Sequence, residues 1–351
     1  MNYSYNNWRQ GGGRSRRKRR QRMIKTILLS FIVALIVVSF VIFLFSMKQI
    51  GEGSKDKETE TAMETETVPP ETTPEDTASG ILKEGFITKS YTKEQMGTGD
   101  LILVRAGAPY SFPERKLKDL YTGRKKYENG ARAYQISSTD IELDELVLSK
   151  LNEMNEAFYE TTGEGGLLIK SAYRSYDSQK ELFDYRVERD GEEEAMKYVA
   201  LPGESEHHTA MAFDMSVYKD GKNTYIEDEP DYLWIYENAH KYGFVLRYPE
   251  SKADITGISY EAWHFRYVGV PHAYYMKEND LVLEEYLELL KNEHPYDGIH
   301  LAVDSDDGHS YEIYYVPADS EGNADIILPA GYEYSVSGDN VGGFVVTVLV
   351  S

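Results

Sequence analysis

The sequence contains no cysteine among its 351 residues. This absence excludes disulfide bonds, thiolate-ligated zinc fingers, iron–sulfur clusters and a cysteine nucleophile. Any metal site in the chain must therefore use histidine and carboxylate ligands. Histidine itself is scarce, at eight residues, so the few places where it stands near an acidic residue are informative.

Basic residues are few outside the N-terminal tail. The chain has 38 Lys and Arg against 59 Asp and Glu, and nine of the basic residues lie within residues 1–25, which contain no acidic residue. The rest of the chain therefore has 29 basic groups (38 less nine) against 59 acidic groups, a net charge of −30. A chain this acidic after residue 25 would repel the phosphates of nucleic acids, and we expect no nucleic-acid partner.

One long apolar run, residues 27–47, follows the basic tail (residues 1–26). Its 21 residues are interrupted only by three serines, and as a helix it would span roughly 30 Å, enough for the hydrocarbon core of a bilayer. No small-residue cleavage site follows it, so we predict an uncleaved transmembrane helix rather than a signal peptide. The basic flank predicts a cytoplasmic N-terminus, with the rest of the chain outside the cell.

The remaining sequence divides into a linker, a main domain and a C-terminal unit. Residues 48–80 are rich in Thr, Glu and Pro and have almost no large apolar side chain, which predicts a disordered linker. Residues 81–294 have a globular composition with mixed periodicity, which predicts an α+β domain. Residues 295–351 contain five short apolar or alternating runs separated by Gly, Asp and Asn, which predict a small antiparallel β unit.

Within the main domain, apolar spacing predicts several individual elements. The predicted helices are residues 140–161, 178–189, 232–242 and 281–291. The predicted buried strands are residues 101–104 and 167–169.

Two short segments combine histidine with a carboxylate. In the first, His207 precedes Asp214 by seven residues, and the alternation over residues 211–217 places Asp214 on the small, polar face of a strand. In the second, Glu261 precedes His264 by three residues, so both face one site only if a turn or bulge intervenes. Two imidazoles and a carboxylate are a standard ligand set for catalytic zinc, and a further carboxylate can act as general base. Such spacings also arise by chance and are weak evidence alone.

Residues 171–269 resemble the VanY-type zinc D-alanyl-D-alanine carboxypeptidases. The resemblance is carried, in this order, by SAYRS with Gln179, by PGESEH, by AFD, by WIYENAHKYGFVLRYP and by EAWHFRYVG. It implies the Hedgehog/D,D-peptidase fold, an α+β domain with a small antiparallel sheet, and one Zn²⁺ per chain.

Position by position, the resemblance implies that His207, Asp214 and His264 are the zinc ligands. Glu261 would be the general base for attack by a zinc-bound water, and Arg174 would stabilise the developing oxyanion. The side chains predicted to contact substrate are Gln179, Ser205, Tyr173 and Trp263.

The sequence departs from the family pattern at two positions near the first histidine. Ala210 stands where the family usually has glycine, and His208 where glutamine is common. Neither is a ligand position, and we expect His208 to point away from the metal. Ala210 could tighten the turn and narrow the site.

The apolar run and its basic flank predict an enzyme anchored in the membrane and facing outward. The resemblance implies that it acts on the bacterial cell wall and removes the terminal D-alanine from peptidoglycan stem peptides. An L,D-carboxypeptidase that acts on tetrapeptide stems would use the same ligand motifs and stays open. A non-catalytic cell-wall-binding protein on the same fold is a further alternative, although a pure binding site has no need of the general base Glu261.

Overall fold

The computed structural model of the protein describes residues 85–127 and 130–351. The predicted tail, membrane helix and linker (residues 1–80) lie outside the described residues. No helix within the described ranges is long and apolar enough to cross a membrane. These ranges form a mixed α+β fold with small, mostly antiparallel sheets, which confirms the predicted fold class.

The described residues contain strands mixed with helices up to residue 293 and strands alone after it. The strands are β1 Phe86–Tyr91, β2 Leu117–Asp119, β3 Gln135–Ile136, β4 Glu142–Asp144, β5 Leu167–Ser171, β6 Ala212–Lys219, β7 Lys222–Thr224, β8 Phe244–Leu246, β9 His264–Tyr267, β10 Leu301–Asp304, β11 Ser310–Pro317, β12 Ala324–Pro329, β13 Glu333–Gly338 and β14 Gly343–Leu349. The helices are α1 Lys93–Met96, α2 Leu120–Gly123, α3 Glu145–Thr162, α4 Tyr176–Asp190, α5 Glu192–Ala195, α6 Trp234–Asn238, α7 Ala253–Thr256, α8 Val270–Glu278 and α9 Leu283–Glu293. Turns of 3₁₀ helix lie at Glu206–Thr209, Ile226–Asp228, Pro230–Tyr232, Ala239–Tyr242 and Glu250–Lys252.

The central sheet has the strand order β3–β5–β6–β9–β8, with β7 paired to the end of β6. Every pair in it is antiparallel except β3–β5. Phe213, Met215 and Val217 of β6 are fully buried, in one apolar cluster with Leu151 and Phe158 of α3. Because side chains alternate along a strand, the opposite face of β6 is left for polar groups, as the sequence pattern predicted.

The helix predictions are confirmed in outline, with one exception. Helices α3, α4 and α9 cover the predicted ranges to within a few residues, and α3 begins late because residues 142–144 form strand β4. The predicted helix at residues 232–242 is wrong as a single helix: α6 gives way after Asn238 to a 3₁₀ turn. That turn ends at Gly243 in the left-handed conformation (φ 86°), where the glycine favoured a helix stop.

The predicted strand at residues 101–104 is buried but is not a strand, so that prediction was wrong. Leu101 and Leu103 pack into the apolar cluster of the C-terminal unit, whereas Ile102 and Val104 pack into that of the central sheet. The backbone is bound by side chains and by a single turn carbonyl instead of a neighbouring strand; Arg266, for example, donates to the carbonyl oxygen of Ile102 (3.0 Å), and the N–H of Leu103 donates to the carbonyl oxygen of Asp339 (3.0 Å). Burial between two cores therefore produced the apolar run without a β-ladder.

The C-terminal β unit (residues 295–351) contains an antiparallel sheet of order β10–β11–β14–β13, close to the predicted strands. Its remaining strand, β12, pairs with β1 from the start of the described chain. Ile313 and Val345 of this unit share an apolar cluster with Leu287 and Leu290 of α9. The β unit is therefore packed onto the rest of the described chain through a common core.

Candidate active site

The structure brings His207, Asp214 and His264 together. His207 lies in the 3₁₀ turn Glu206–Thr209, Asp214 lies on β6, and His264 is the first residue of β9. One ligand atom from each lies within 4.8 Å of the others; Asp214 Oδ1 is 3.5 Å from His207 Nε2 and 3.2 Å from His264 Nδ1. The antiparallel register places Asp214 directly opposite His264, so strand pairing joins residues that are far apart in sequence.

The hydrogen bonds of the two histidines leave the nitrogen lone pairs where a metal would need them. His207 Nδ1 donates to the carbonyl oxygen of Ala172 (2.7 Å), so Nε2 keeps its lone pair. His264 Nε2 faces Glu206 Oε2 at 3.4 Å, which favours a proton there and a lone pair on Nδ1. Ligand atoms of tetrahedral zinc at about 2.0–2.2 Å lie roughly 3.4 Å apart. The donor set therefore fits Zn²⁺, and both separations from Asp214 Oδ1 are close to this value.

Burial and mutual contacts determine the charges of these ligands. Burial alone would raise the pKa of Asp214, but His207 and His264 outweigh it and hold that pKa well below its usual range. Burial lowers the pKa of His207, and the charge of Arg174 lowers it further. For His264 without a bound metal, burial is outweighed by the hydrogen bonds to Asp214 and Glu206, which raise its pKa to about 9, so a metal ion would have to displace the proton on Nδ1. Carboxylates thus surround His264, a setting that favours a bound cation.

Glu261 lies in the turn that precedes β9. Its carbonyl oxygen accepts a hydrogen bond from the N–H of His264 (3.3 Å), and its Oε2 lies 3.6 Å from His264 Nδ1. The predicted turn that brings both residues to one site is therefore confirmed. Burial raises the pKa of Glu261 to about 7, since the opposing effects of His264 and Arg174 only partly offset it. A carboxylate with a pKa near neutrality is well suited to proton transfer at neutral pH.

Arg174 enters the site from the loop after β5, and two side chains hold its guanidinium. Nη1 donates to Gln179 Oε1 (2.8 Å) and Nη2 donates to Ser171 Oγ (2.9 Å). Gln179 is buried and also donates from Nε2 to the carbonyl oxygen of Ala200 (2.7 Å). These bonds give Gln179 an orienting role toward Arg174, while its predicted substrate contact stays a prediction.

The two residues that depart from the family pattern, His208 and Ala210, both affect the backbone around the site. His208 points away from the metal ligands, as predicted: its Nδ1 donates to the carbonyl oxygen of Arg174 (2.6 Å) and its Nε2 accepts from the N–H of Gly203 (3.0 Å). Ala210 is buried and has a left-handed backbone (φ 57°), a conformation that costs a residue with a Cβ roughly 1–2 kcal/mol. The turn between the first two ligands therefore has a geometry that favours glycine.

A cavity of about 440 Å³ opens onto these groups. All of the predicted ligands, Glu261 and Arg174 line it, as do three of the four predicted substrate contacts: Gln179, Ser205 and Trp263. Tyr173 does not line this cavity. Its backbone N–H donates to the carbonyl oxygen of Glu142. Several lining side chains are large, apolar and at least one-third exposed: Met196, Tyr198 and Ile255. The cavity is thus acidic around the predicted ligands and partly apolar where its lining side chains are exposed.

A buried ion network behind His264 was missed by the sequence reasoning. Glu206 Oε1 accepts from Arg247 Nε (2.8 Å) and from Arg266 Nη1 (3.0 Å), and Arg247 forms a bidentate pair with Glu284 of α9 (2.7 and 2.8 Å). The two arginines outweigh the effect of burial and lower the pKa of Glu206 well below its usual range. The available signal was an arginine inside an apolar strand, which requires a buried partner.

Comparisons with known proteins give a consistent result. Residues 140–270 match the family model described as VanY: D-alanyl-D-alanine carboxypeptidase. The chain is 36% identical over 262 residues to a D-alanyl-D-alanine carboxypeptidase of Enterococcus faecium, which covers 74% of this chain and 78% of that relative. It is 38% identical to the bifunctional D-Ala-D-Ala dipeptidase and D-Ala-D-Ala carboxypeptidase VanXYC of Enterococcus gallinarum, over 38% of this chain and 74% of that relative.

Among solved structures, the chain is similar to the vancomycin resistance D,D-dipeptidase VanXYg in complex with a D-Ala-D-Ala phosphinate analogue. The TM-score is 0.64 at 31% sequence identity, and the match covers 76% of this chain and 100% of that chain. The similarity therefore extends over most of the described residues.

Proposed function

Because the chain belongs to the VanY family of D-alanyl-D-alanine carboxypeptidases, which are metallo-carboxypeptidases, we propose that it removes the terminal D-alanine from peptidoglycan stem peptides with one zinc ion. The resemblance noted in the sequence is confirmed by these relatives. The observation that carries the proposal is the convergence of His207, Asp214 and His264 beside Glu261 and Arg174 in one cavity. A wall-binding protein without activity would have no use for that constellation.

The proposed roles follow from the position of each side chain. His207 Nε2, Asp214 Oδ1 and His264 Nδ1 would hold Zn²⁺, which when bound polarises a carbonyl and makes a water molecule more acidic. Glu261 takes the proton of the attacking water and passes it to the leaving amine of D-alanine. The guanidinium of Arg174 donates to the developing oxyanion, a contribution on the order of 3 kcal/mol.

The substrate is best tested with three peptides that end in D-alanine. The purified full-length chain, loaded with zinc, would be incubated with a pentapeptide stem, a tetrapeptide stem and free D-Ala-D-Ala, and products read by mass spectrometry. We expect loss of one D-alanine from the pentapeptide, and none when zinc is removed by a chelator. Loss of D-alanine from the tetrapeptide alone would overturn the proposal in favour of L,D-carboxypeptidase activity.

We further propose that residues 27–47 anchor the enzyme in the cell membrane, with residues 81–351 on the cell-wall side. The apolar run, which contains no charged residue, and the nine basic residues before it support this orientation. Protease added to intact protoplasts should then degrade the C-terminal part and spare an epitope placed before residue 9. Protection of both ends would contradict the proposed topology.

A further inference from the structure

One wall of the active-site cavity is a loop that lies far upstream of the metal ligands in sequence. Val104, Arg105 and Ala106 of this loop (residues 103–109) line the cavity. Arg105 is exposed and makes no ion pair with any residue that the structure describes. The N–H of Ala108 donates to the carbonyl oxygen of Arg105 (2.9 Å), which closes the loop as a tight turn. The loop therefore presents an exposed arginine to the cavity, beside the Glu204 carboxylate that the N–H of Gly107 binds.

The C-terminal β unit holds both ends of this loop through a single asparagine. Asn340 Nδ2 lies 3.0 Å from the carbonyl oxygen of Leu103, 3.3 Å from that of Ala108 and 3.2 Å from that of Pro109. The N–H of Leu103 in turn donates to the carbonyl oxygen of Asp339 (3.0 Å). An amide group that reaches both ends of a loop fixes its shape more firmly than a contact at one end.

The turn that carries Asn340 is itself firmly built. Asp339 Oδ1 accepts from three consecutive backbone N–H groups, those of residues 341–343 (2.8, 2.7 and 3.0 Å), and Asp339 Oδ2 accepts from the hydroxyl of Tyr315 (2.7 Å). Asn340 has a left-handed backbone (φ 67°), which asparagine tolerates better than most residues. The preceding Gly338 packs against the backbone of Met96 so closely that a Cβ would lie 2.0 Å from a carbonyl oxygen.

The same loop is also tied to the segment that leads into the metal ligands. The N–H of Gly107 donates to Glu204 Oε1 (2.9 Å), and the N–H of Tyr110 donates to the carbonyl oxygen of Gly203 (2.8 Å). These residues stand directly before Ser205 and His207. The loop is thus fixed between the β unit on one side and the metal centre on the other.

We propose that the C-terminal β unit takes part in substrate binding: Asn340 positions the loop at residues 103–109 so that Arg105 binds a carboxylate of the substrate peptide upstream of the scissile bond. This inference rests on the proposed function. Arginine suits the role because its guanidinium binds carboxylates in bidentate fashion. A cation at the mouth would also offset the repulsion that an acidic peptide meets on so acidic a protein. Arg174, already bonded to Gln179 and Ser171, is assigned above to the developing oxyanion.

The test compares kinetics of the full-length enzyme on two peptides that end in D-Ala-D-Ala. One carries a free carboxylate upstream of the cleaved bond, and the other carries the amide at the same position. Arg105→Ala should raise KM for the carboxylate peptide about tenfold, the usual scale of a hydrogen bond to a charged group, and leave kcat and the amide peptide unchanged. Arg105→Lys should recover part of the loss. Arg105 is exposed, so these variants do not threaten the fold.

The positioning role of Asn340 is tested by a matched pair of glycine substitutions. Asn340→Gly keeps the left-handed backbone accessible but removes the amide, and should raise KM as Arg105→Ala does. The double variant should be no worse than either single one, because both act through one contact. Asn323→Gly removes an asparagine elsewhere in the β unit, whose side chain accepts from the N–H of Lys93 (3.3 Å), and should leave KM unchanged.

A structural measurement separates this inference from the proposed function. Hydrogen exchange at the amides of Gly107 and Ala108 should be faster in Asn340→Gly than in wild type, whatever the substrate. Failure of the wild-type chain to cleave any D-Ala-D-Ala peptide would refute the proposed function itself. Normal cleavage by wild type, with KM unchanged in Arg105→Ala or with additive effects in the double variant, would refute only the inference.

Discussion

The candidate metal site and the C-terminal β unit use their polar groups in different ways. Around β6 and β9, charged side chains meet one another, as Glu206 does with Arg247 and Arg266. In the β unit, Asp339 and Asn340 bind backbone groups of turns and of a neighbouring loop. The first region therefore depends on side-chain chemistry and the second on chain geometry. Substitutions around β6 and β9 should therefore reduce turnover, whereas substitutions in the β unit should change the conformation of the neighbouring loop or the binding of substrate.

The largest effect should come from Glu261→Gln, which removes the general base and keeps a side chain of the same shape. We expect kcat to fall about 10²–10⁴-fold, the usual contribution of general-base catalysis, with one zinc still bound. Asp254→Asn is the matched control, since Asp254 also lines the cavity but lies at its exposed edge. Steady-state kinetics and metal analysis of both variants provide the readout. An equal loss in the two variants would remove Glu261 from the mechanism.

The next effect concerns the stability of the buried charges. Glu206→Gln leaves Arg247 and Arg266 without their shared buried carboxylate, and loss of one partner of a buried pair costs about 3–5 kcal/mol of unfolding free energy. Glu194→Gln is the control, because its ion pair with Lys197 is exposed and should contribute little. Urea unfolding of both variants measures the difference. Equal midpoints in the two variants would show that the network does not stabilise the centre.

A smaller, pH-dependent effect is expected where the β unit meets the rest of the chain. His272 lies buried between the hydroxyls of Tyr286 (2.8 Å) and Thr347 (3.0 Å), and burial lowers its pKa to about 3. Since the unfolded chain binds the proton near pH 6.5, this histidine has no effect on stability above that pH and destabilises the fold as pH falls toward 3. The slope should be about 1.4 kcal/mol per pH unit.

His272→Gln should remove that share of the acid sensitivity, whereas His309→Gln, at an exposed position, should not. Unfolding free energies measured between pH 7 and pH 4 compare the two variants. If both kept the wild-type slope, His272 would not be the group responsible.

The smallest effect concerns backbone conformation beside the metal ligands. Ala210, like Asn340 in the β unit, has a left-handed backbone, so Ala210→Gly should relieve strain and stabilise the protein by about 1 kcal/mol. Ala212→Gly, two residues later in the regular strand β6, should destabilise it instead. Thermal unfolding would separate the two, and a loss of stability in both would show that the turn is not strained.

The contrast between side-chain chemistry and chain geometry also explains which features could be predicted from the sequence. Zinc chemistry limits the candidate ligands to histidines and carboxylates, and the resemblance to the VanY-type family is what selects His207, Asp214, His264 and Glu261 among them. The strands of the β unit were also predictable, because alternation of apolar residues follows directly from burial of one face.

Contacts between distant segments were not predictable in this way. Glu206 meets Arg247 across 41 residues and Arg266 across 60. Both arginines lie within segments that carry the family resemblance, but nothing in the sequence indicates that they share one buried carboxylate. The strand prediction for residues 101–104 failed because burial between two cores gives the same apolar run as a central strand. Asn340 stands in a Gly- and Asp-rich turn, and sequence pattern indicates the turn without indicating which carbonyl groups its side chain reaches.

The most direct test is anomalous diffraction at the zinc absorption edge from crystals of the protein grown with zinc. The proposed site predicts one strong peak about 2.0–2.2 Å from His207 Nε2, Asp214 Oδ1 and His264 Nδ1, with a fourth position open toward the cavity. A peak bound by other side chains, or no peak among these three, would contradict it.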